Sequence, residues 1–314
     1  MTDSDQKTSN NDSHLLDDEI DLKQLFNTIW EARKFIISIT SLVAISAIIY
    51  SLLLTNYYRS ESILVARDLQ SSSTLSQYAD FAAIAGIGLP TERGDGVIEV
   101  MEIIKSREFV KHLLTFEDIL PSLMASKSYD AVSKELYFDP KLYDMKSKTW
   151  IREPSGNKGI EPSYLETHEA YLGEVLSISQ DIKTGLVYIA IEHISPVFAK
   201  EFLALIIKEA NSLMREKDID TSNKALSYLE QELSQTRLVE IKESINQLIE
   251  AQLETRMMAQ ISEEYSLSII EPPFIPEEKS KPVRSLIVVL ATIIGGLLGM
   301  IIVLVRNYVS NKVN

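Results

Sequence analysis

Residues 285–305 read SLIVVLATIIGGLLGMIIVLV, and the segment leading into them, 271–285, reads EPPFIPEEKSKPVRS. The first string is 21 residues without a charge. Roughly 20 apolar residues, each rising about 1.5 Å, cross some 30 Å of hydrocarbon, so the string predicts a spanning helix. FIISITSLVAISAIIYSLLL at 35–54 is a second uncharged run, of 20 residues. A buried core helix is the alternative for either run alone. Two such runs, one near each end, point instead to a membrane protein with a large domain between them. The boundaries expected are a tail at 1–34, spans at 35–54 and 285–305, a domain at 55–284 and a short tail at 306–314.

The first run follows an acidic tail, and no small-residue cleavage site comes after it, so a retained anchor is expected rather than a signal peptide. Lysine and arginine set orientation. Arg33 and Lys34 abut the first span and only Arg59 lies close behind it, which favours a cytoplasmic N-terminus. Lys279, Lys281 and Arg284 precede the second span, with Arg306 and Lys312 after it. Taken alone, that pattern points the other way. With the first span dominant, both termini are cytoplasmic and the large domain lies outside the inner membrane.

The 314-residue chain carries a formal charge of −14 and no cysteine. The charge argues against nucleic acid as a partner. The missing cysteines exclude disulfides, thiolate zinc sites and a cysteine nucleophile. His14, His112, His168 and His193 have no metal-ligand spacing, and no phosphate-binding GxxxxGK[ST] occurs. No cofactor and no catalytic residue is expected.

Along the chain, 1–14 is polar and acidic. Leu22, Leu25, Phe26, Ile29 and Trp30 share one helical face, reading as an amphipathic helix over 21–33 with Trp30 at headgroup level, or else as a simple extension of the first span. YYRSESILVARD at 57–68 is a strand candidate. SQYADFAAIAGIGLP at 76–90 is too short to span, and Gly86 and Gly88 suggest a loop or broken helix. Helix spacing returns over 97–114. The stretch 125–162 is the least patterned. Its Tyr129, Tyr137, Tyr143 and Trp150 suit a small satellite core better than sugar stacking.

At 176–196 two strand-like runs flank Lys183-Thr184-Gly185, a hairpin turn. Ser195-Pro196 is a helix N-cap followed by proline at the first helical position. Few breakers follow until about residue 265. Leu226, Leu229 and Leu233 hold one apolar phase, whereas Leu238, Ile241, Ile245 and Leu248 hold another. This slip predicts a break near 234–239 and hence a tall helical hairpin over 196–265. The returning helix would deliver YSLSIIEP as a last strand. Pro272, Pro273, Pro276 and Pro282 then brace a semi-rigid strut over 271–284, since proline fixes φ and favours an extended path of about 3.1 Å per residue.

Inside the second span, Ala291, Gly295 and Gly299 recur every fourth residue on one face, the pattern that lets helix backbones approach closely. Their partner is either the first span or a neighbouring subunit. Trp30, Arg33, Lys34, Lys279, Lys281, Arg284 and Arg306 fall at the two interfaces and are candidates for lipid contact. For the lysines before the second span, plain anchoring is weighed against contact with a carrier pyrophosphate.

EIDLKQLFNTIWEARKFI, FAAIAGIGLP, IEVMEIIKSREFV, LSISQDIKTGLVYIAIEHISPVFAKEF and PPFIPEEKSKPVRSLIVVLATIIGGLLG occur in that order between about residues 18 and 305. Together they resemble the Wzz-type chain-length determinants, the polysaccharide co-polymerases of Gram-negative inner membranes. The resemblance implies an α+β membrane protein: two transmembrane helices flanking a periplasmic domain with a small membrane-proximal α/β base and a long helical arm. It also implies a bell-shaped homo-oligomer that controls how many repeat units join an O-antigen or related surface polysaccharide on a lipid carrier. A Wzy-type polymerase is the implied partner. A chain ending at Asn314 without a nucleotide-binding domain departs from the kinase-bearing capsule branch, which favours the lipopolysaccharide branch. A two-span sensor and an anchored periplasmic hydrolase are the alternatives.

Overall fold

The computed structural model describes residues 28–66 and 95–313. The acidic tail, Leu22, Leu25 and Phe26, and the apolar stretch 76–90 with Gly86 and Gly88 lie outside the described residues. The chain divides into two compact units, with Leu54 and Pro282–Asn314 on one side of the division and Thr55–Lys281 on the other.

The first unit is a pair of long apolar helices, α1 (Arg33–Leu53) and α8 (Arg284–Val313), packed along one another. Residues 28–31 are also helical, and a turn at Ala32 separates them from α1. Both helices are long and apolar enough to cross a membrane. Their outward faces expose Leu42, Leu52, Val289 and Leu297 among other large apolar side chains, as expected where lipid is the solvent.

The second unit is built on an antiparallel sheet. β1 (Tyr57–Ala66) is its centre, flanked by β7 (Leu186–His193) with β6 (Leu176–Gln180) outside it, and on the other edge by β8 (Leu267–Glu271) and β9 (Lys279–Lys281). β1 pairs with β7 from Tyr58↔His193 to Val65↔Leu186. The period-two pattern of β1 puts Ser60, Ser62 and Leu64 on the buried face. β6 and β7 form the expected hairpin, with Gly185 at φ 74°.

The buried face is covered by α6 (Pro196–Gln235), whose Ser195 cap accepts a hydrogen bond from the Phe198 amide at 3.2 Å. Ala199, Phe202, Leu203, Ile206, Ile207, Ala210 and Met214 form its apolar stripe. They join Leu64, Val187, Ile189 and Ile191 of the sheet in one core. Two short helices add to that core, α2 (Asp95–Lys105) and α3 (Arg107–Leu113). The periodicity over 97–114 predicts one helix; the chain breaks it at Ser106, whose hydroxyl caps α3 by accepting from the Phe109 amide at 3.1 Å. α4 (Ile119–Met124) and α5 (Tyr164–Ala170) complete the base, α5 running on through one wider turn, Tyr171–Val175.

Beyond the sheet, α6 pairs with α7 (Val239–Ile261) through a second cluster, Ala225, Leu229, Ile245 and Leu248. At 40 residues, α6 is about 60 Å long. The break falls at 236–238, where Thr236 and Leu238 are extended and neither glycine nor proline is present. The two apolar phases belong to two separate helices: Leu229 and Leu233 at the end of α6 face Ile245 and Leu248 of α7, and the break between them resets the phase.

The unpatterned stretch 125–162 folds as two small hairpins, β2 (Ser126–Asp130) with β3 (Glu135–Phe138), and β4 (Tyr143–Asp144) with β5 (Thr149–Trp150). Both use the same turn, YDAVSK at 129–134 and YDMKSK at 143–148. Asp130 accepts from the Val132 amide at 2.9 Å and the Ser133 hydroxyl at 3.1 Å; Asp144 accepts from the Lys146 amide at 3.1 Å and the Ser147 hydroxyl at 2.6 Å. Each turn closes on a lysine in the left-handed region, Lys134 at φ 57° and Lys148 at φ 51°. Tyr143 is buried edge-on against Phe138 and Trp150, a satellite core.

Candidate functional site

The small-residue face of α8 lies against α1. A Cβ built on Gly295 would stand 3.0 Å from the Val43 Cβ and 3.4 Å from the Thr40 Cα; one on Gly299 would stand 3.3 Å from the Ile36 Cγ2 and 3.4 Å from its Cα. Contacts step backward along α1 as they step forward along α8, so the two helices are antiparallel. Ala291 is half-buried one turn earlier. Gly296 borders this face: its Cβ would meet only the Thr40 hydroxyl, at 3.8 Å. At the chain-end side of the pair, the Asn307 amide donates to the Thr28 hydroxyl at 3.3 Å. Trp30, Arg33, Lys34 and Arg306 are exposed, and the Arg33 guanidinium stands 5.1 Å from the Trp30 ring centroid. Arg284 is half-buried at the opposite end of α8.

In the second unit, the proline-braced segment is tied down. After β8 leaves β1 at Glu271, residues 272–278 follow the same edge of β1, and β9 rejoins it at Tyr57 and Tyr58. Pro272, Pro273 and Pro276 have no amide hydrogen to donate, so a continuous ladder is impossible there. Serine hydroxyls on β1 serve instead. Ser62 donates to the Glu271 carbonyl at 2.6 Å and Ser60 to the Phe274 carbonyl at 2.7 Å. Pro276 is buried and Pro273 half-buried, while Pro272 is exposed. The segment expected to be a strut is therefore, as far as Lys281, an interrupted edge strand; half-buried Pro282 belongs to the first unit.

β9 also closes a charged cluster. Glu192, only 8% exposed, accepts from the Lys281 ammonium at 2.5 Å and the Ser280 hydroxyl at 3.3 Å. Arg59 lies 3.9 Å from the same carboxylate. Lys281 is thus committed to a buried partner, whereas Lys279 is exposed on β9.

Two further buried polar groups lock the base. The Asn211 side chain accepts from the Ser266 and Leu267 amides, both at 2.8 Å, and donates to the Leu267 carbonyl at 3.0 Å, fixing the start of β8 on α6. His193 accepts from the Ser195 amide through Nδ1 at 3.1 Å, which leaves Nε2–H to donate to the Ser122 carbonyl at 2.9 Å. Burial pushes its pKa down to about 4. His112 faces Glu209 at 2.8 Å and His168 the Lys105 carbonyl at 2.8 Å. Among the described residues no cluster of metal ligands occurs. Ser60, Ser62, Glu192 and Asn211 were not singled out by sequence. The signal for the serines was present as alternate polar residues on the inward face of a strand that a proline-rich edge must join.

Comparison with known proteins places these features. Residues 18–115 match the profile of the Wzz family, Chain length determinant protein. Residues 229–308 match the GNVR profile, a G-rich domain described on tyrosine kinases. Over its first third the chain is thus similar to the Wzz chain length determinants. The Wzz profile covers α1, β1, α2 and α3, and GNVR covers the end of α6, all of α7, the edge strands and most of α8. The chain is also 39% identical over 64 residues to the tyrosine-protein kinase etk of Escherichia coli strain K12, and equally to that of strain O157:H7. That match is 20% of this chain and spans 9% of the length of the curated relatives. A full-length bacterial polysaccharide co-polymerase is similar at 15% identity and a TM-score of 0.39, covering 94% of this chain and 99% of that one. A fragment of WzzB from Salmonella Typhimurium is similar at 13% identity and a TM-score of 0.28, covering 72% of this chain and all of the fragment.

Proposed function

We propose that this chain sets the length of a surface polysaccharide. It acts without chemistry of its own, as a homo-oligomeric co-polymerase beside a Wzy-type polymerase on lipid-linked repeat units. The observation that carries the reading is the Wzz profile over 18–115, running from before α1 through α3. The antiparallel span pair supports a two-pass anchor in the bacterial inner membrane, with both termini cytoplasmic and 55–281 in the periplasm. In that orientation Trp30, Arg33, Lys34 and Arg306 meet inner-leaflet headgroups. Arg284 and Lys279 lie at the outer leaflet, within reach of lipid phosphates, the carrier's pyrophosphate included.

O-antigen is the product class first expected. The 39% identity to tyrosine-protein kinase etk favours a second reading, a capsule or exopolysaccharide made alongside a tyrosine kinase. Deleting the gene and sizing both polymers tests the function and separates the two. A broadened lipopolysaccharide ladder supports O-antigen, and a changed capsule length supports the second reading. Both unchanged would overturn length control. Reporter fusions at residues 150 and 314 test orientation, cytoplasmic activity at 150 being the adverse result. Light scattering in detergent tests assembly, a monomer being the adverse result.

A further inference from the structure

An open groove of about 550 Å³ runs between the β4–β5 hairpin and the turn that precedes α4. Its volume lies within the usual range for small-ligand sites, about 300–1,000 Å³. Trp150 and Tyr143 supply aromatic wall, and Glu117, Asp118, Lys148 and Glu161 supply polar groups.

The walls are held in place by contacts that leave the groove open. Lys148 donates to Glu117 at 2.5 Å, joining the hairpin to the α3–α4 turn. On the far side, Arg152 and Glu166 form a two-pronged pair at 2.5 and 2.8 Å, each side chain only 12% exposed. The same guanidinium collects the carbonyls of Gly159, Ile160 and Glu161 at 2.9, 3.0 and 3.4 Å. Asp118 is held in the left-handed region at φ 64° although no glycine is present, a conformation that surrounding structure must impose. A wall fixed beforehand loses less entropy when a ligand arrives.

The chemistry of the lining selects the ligand class. An indole face takes up the C–H face of a ring, and carboxylates accept from hydroxyls or amines. Three carboxylates face one ammonium, and that ammonium is already paired with Glu117. An anionic ligand would meet like charge.

Resting on the length-control reading above, we propose that this groove binds a neutral or amino-bearing saccharide, a portion of the polymer whose length the protein governs. Trp150 is one of two tryptophans in the chain, so a Trp30→Phe background makes its fluorescence a reporter of the groove. The full chain in detergent is titrated with the repeat-unit oligosaccharide released from the producing strain's own surface polysaccharide. A hyaluronan tetrasaccharide serves as the acidic control. The expected result is a saturable emission change with the first probe and none with the second. Asp118→Asn with Glu161→Gln, which keeps side-chain shape, should weaken binding about tenfold or more without moving the melting temperature. A silent Trp150 overturns the proposal, as does equal binding of the acidic control or full affinity in the double variant. Saturable binding in a strain whose polymer length ignores deletion of the gene upholds the groove and overturns length control instead. A silent groove beside a deletion that does change length leaves length control standing and the groove proposal refuted.

Discussion

The Ser60 hydroxyl donates to the Phe274 carbonyl at 2.7 Å, across 214 residues of sequence. With its neighbour Ser62, bonded to the Glu271 carbonyl, it holds a segment that three prolines have deprived of ladder donors. Both serines are essentially buried, and each hydroxyl ties β1 to the carbonyl of an exposed residue. Ser60→Ala and Ser62→Ala should each cost roughly 0.5–1.5 kcal/mol. Amide exchange at Ser280 and Lys281 should rise, because the backbone of β9 is paired with β1 at only two register positions, its other ties being the side-chain contacts to Glu192 and the Tyr57 carbonyl. Unchanged exchange there would show that β9 stays docked without the serines.

The glycine face makes a graded prediction. Gly295→Leu drives a side chain into Val43 and Thr40 and should cost roughly 1–3 kcal/mol of helix pairing. Gly296→Leu meets only the Thr40 hydroxyl at 3.8 Å and should cost less. Cross-linking between cysteines placed at positions 36 and 299 in a chain with none of its own reads the pairing directly. Equal yields in the two leucine variants would remove the assigned role of Gly295.

Lys134 sits at φ 57° in a turn that favours glycine. No hydrogen bond or ion pair ties its side chain to the turn. Lys134→Gly should therefore stabilise the β2–β3 hairpin by some tenths of a kcal/mol up to about 1 kcal/mol. Thermal melts of the full chain would detect it. Lys148 has the same backbone but also holds Glu117, so Lys148→Gly should gain less.

Acid should weaken the base in two stages. His193 is buried and neutral with its pKa pushed down from 6.5 to about 4. A depressed histidine lends stability that is complete above the ordinary value and is lost as pH falls from about 6.5 towards 4, on the order of 3 kcal/mol at full effect. Below that, the three hairpin carboxylates follow. The Val132 amide holds Asp130 below the usual carboxylate range, the Ser147 hydroxyl holds Asp144, and the Lys183 amide holds Asp181. Their contribution is complete above the ordinary carboxylate range and disappears beneath it. His193→Gln should flatten the melting temperature between pH 6.5 and 4 while leaving the lower stage intact. A retained slope would place the acid sensitivity elsewhere.

What could be read from sequence was whatever repeats with a period or is announced by a local signal. The uncharged runs, Ser195-Pro196 at the start of α6, Gly185 in its turn and the phase slip near 236–238 are of this kind. Lys134 and Lys148 hid two hairpins because lysine does not advertise a left-handed turn; only the repeated Tyr-Asp-x-x-Ser-Lys pattern does. Ser106 splits a helix whose apolar spacing runs on past it. The bonds of Ser60, Glu192 and Asn211 join residues far apart in sequence, and composition carries no trace of which distant group they meet. Gly295 and Gly299 were legible as a face, but the side chains opposite them, Val43 and Ile36, were not.

The rung that pairs Tyr57 with Lys281 has a consequence for engineering. It brings the two ends of the sheet domain together, so everything between them forms a closed cassette with a single narrow stem. Such a piece can be lifted out at Thr55 and Lys281 and spliced into a surface turn of an unrelated host, because the host need bridge only the width of one strand pair.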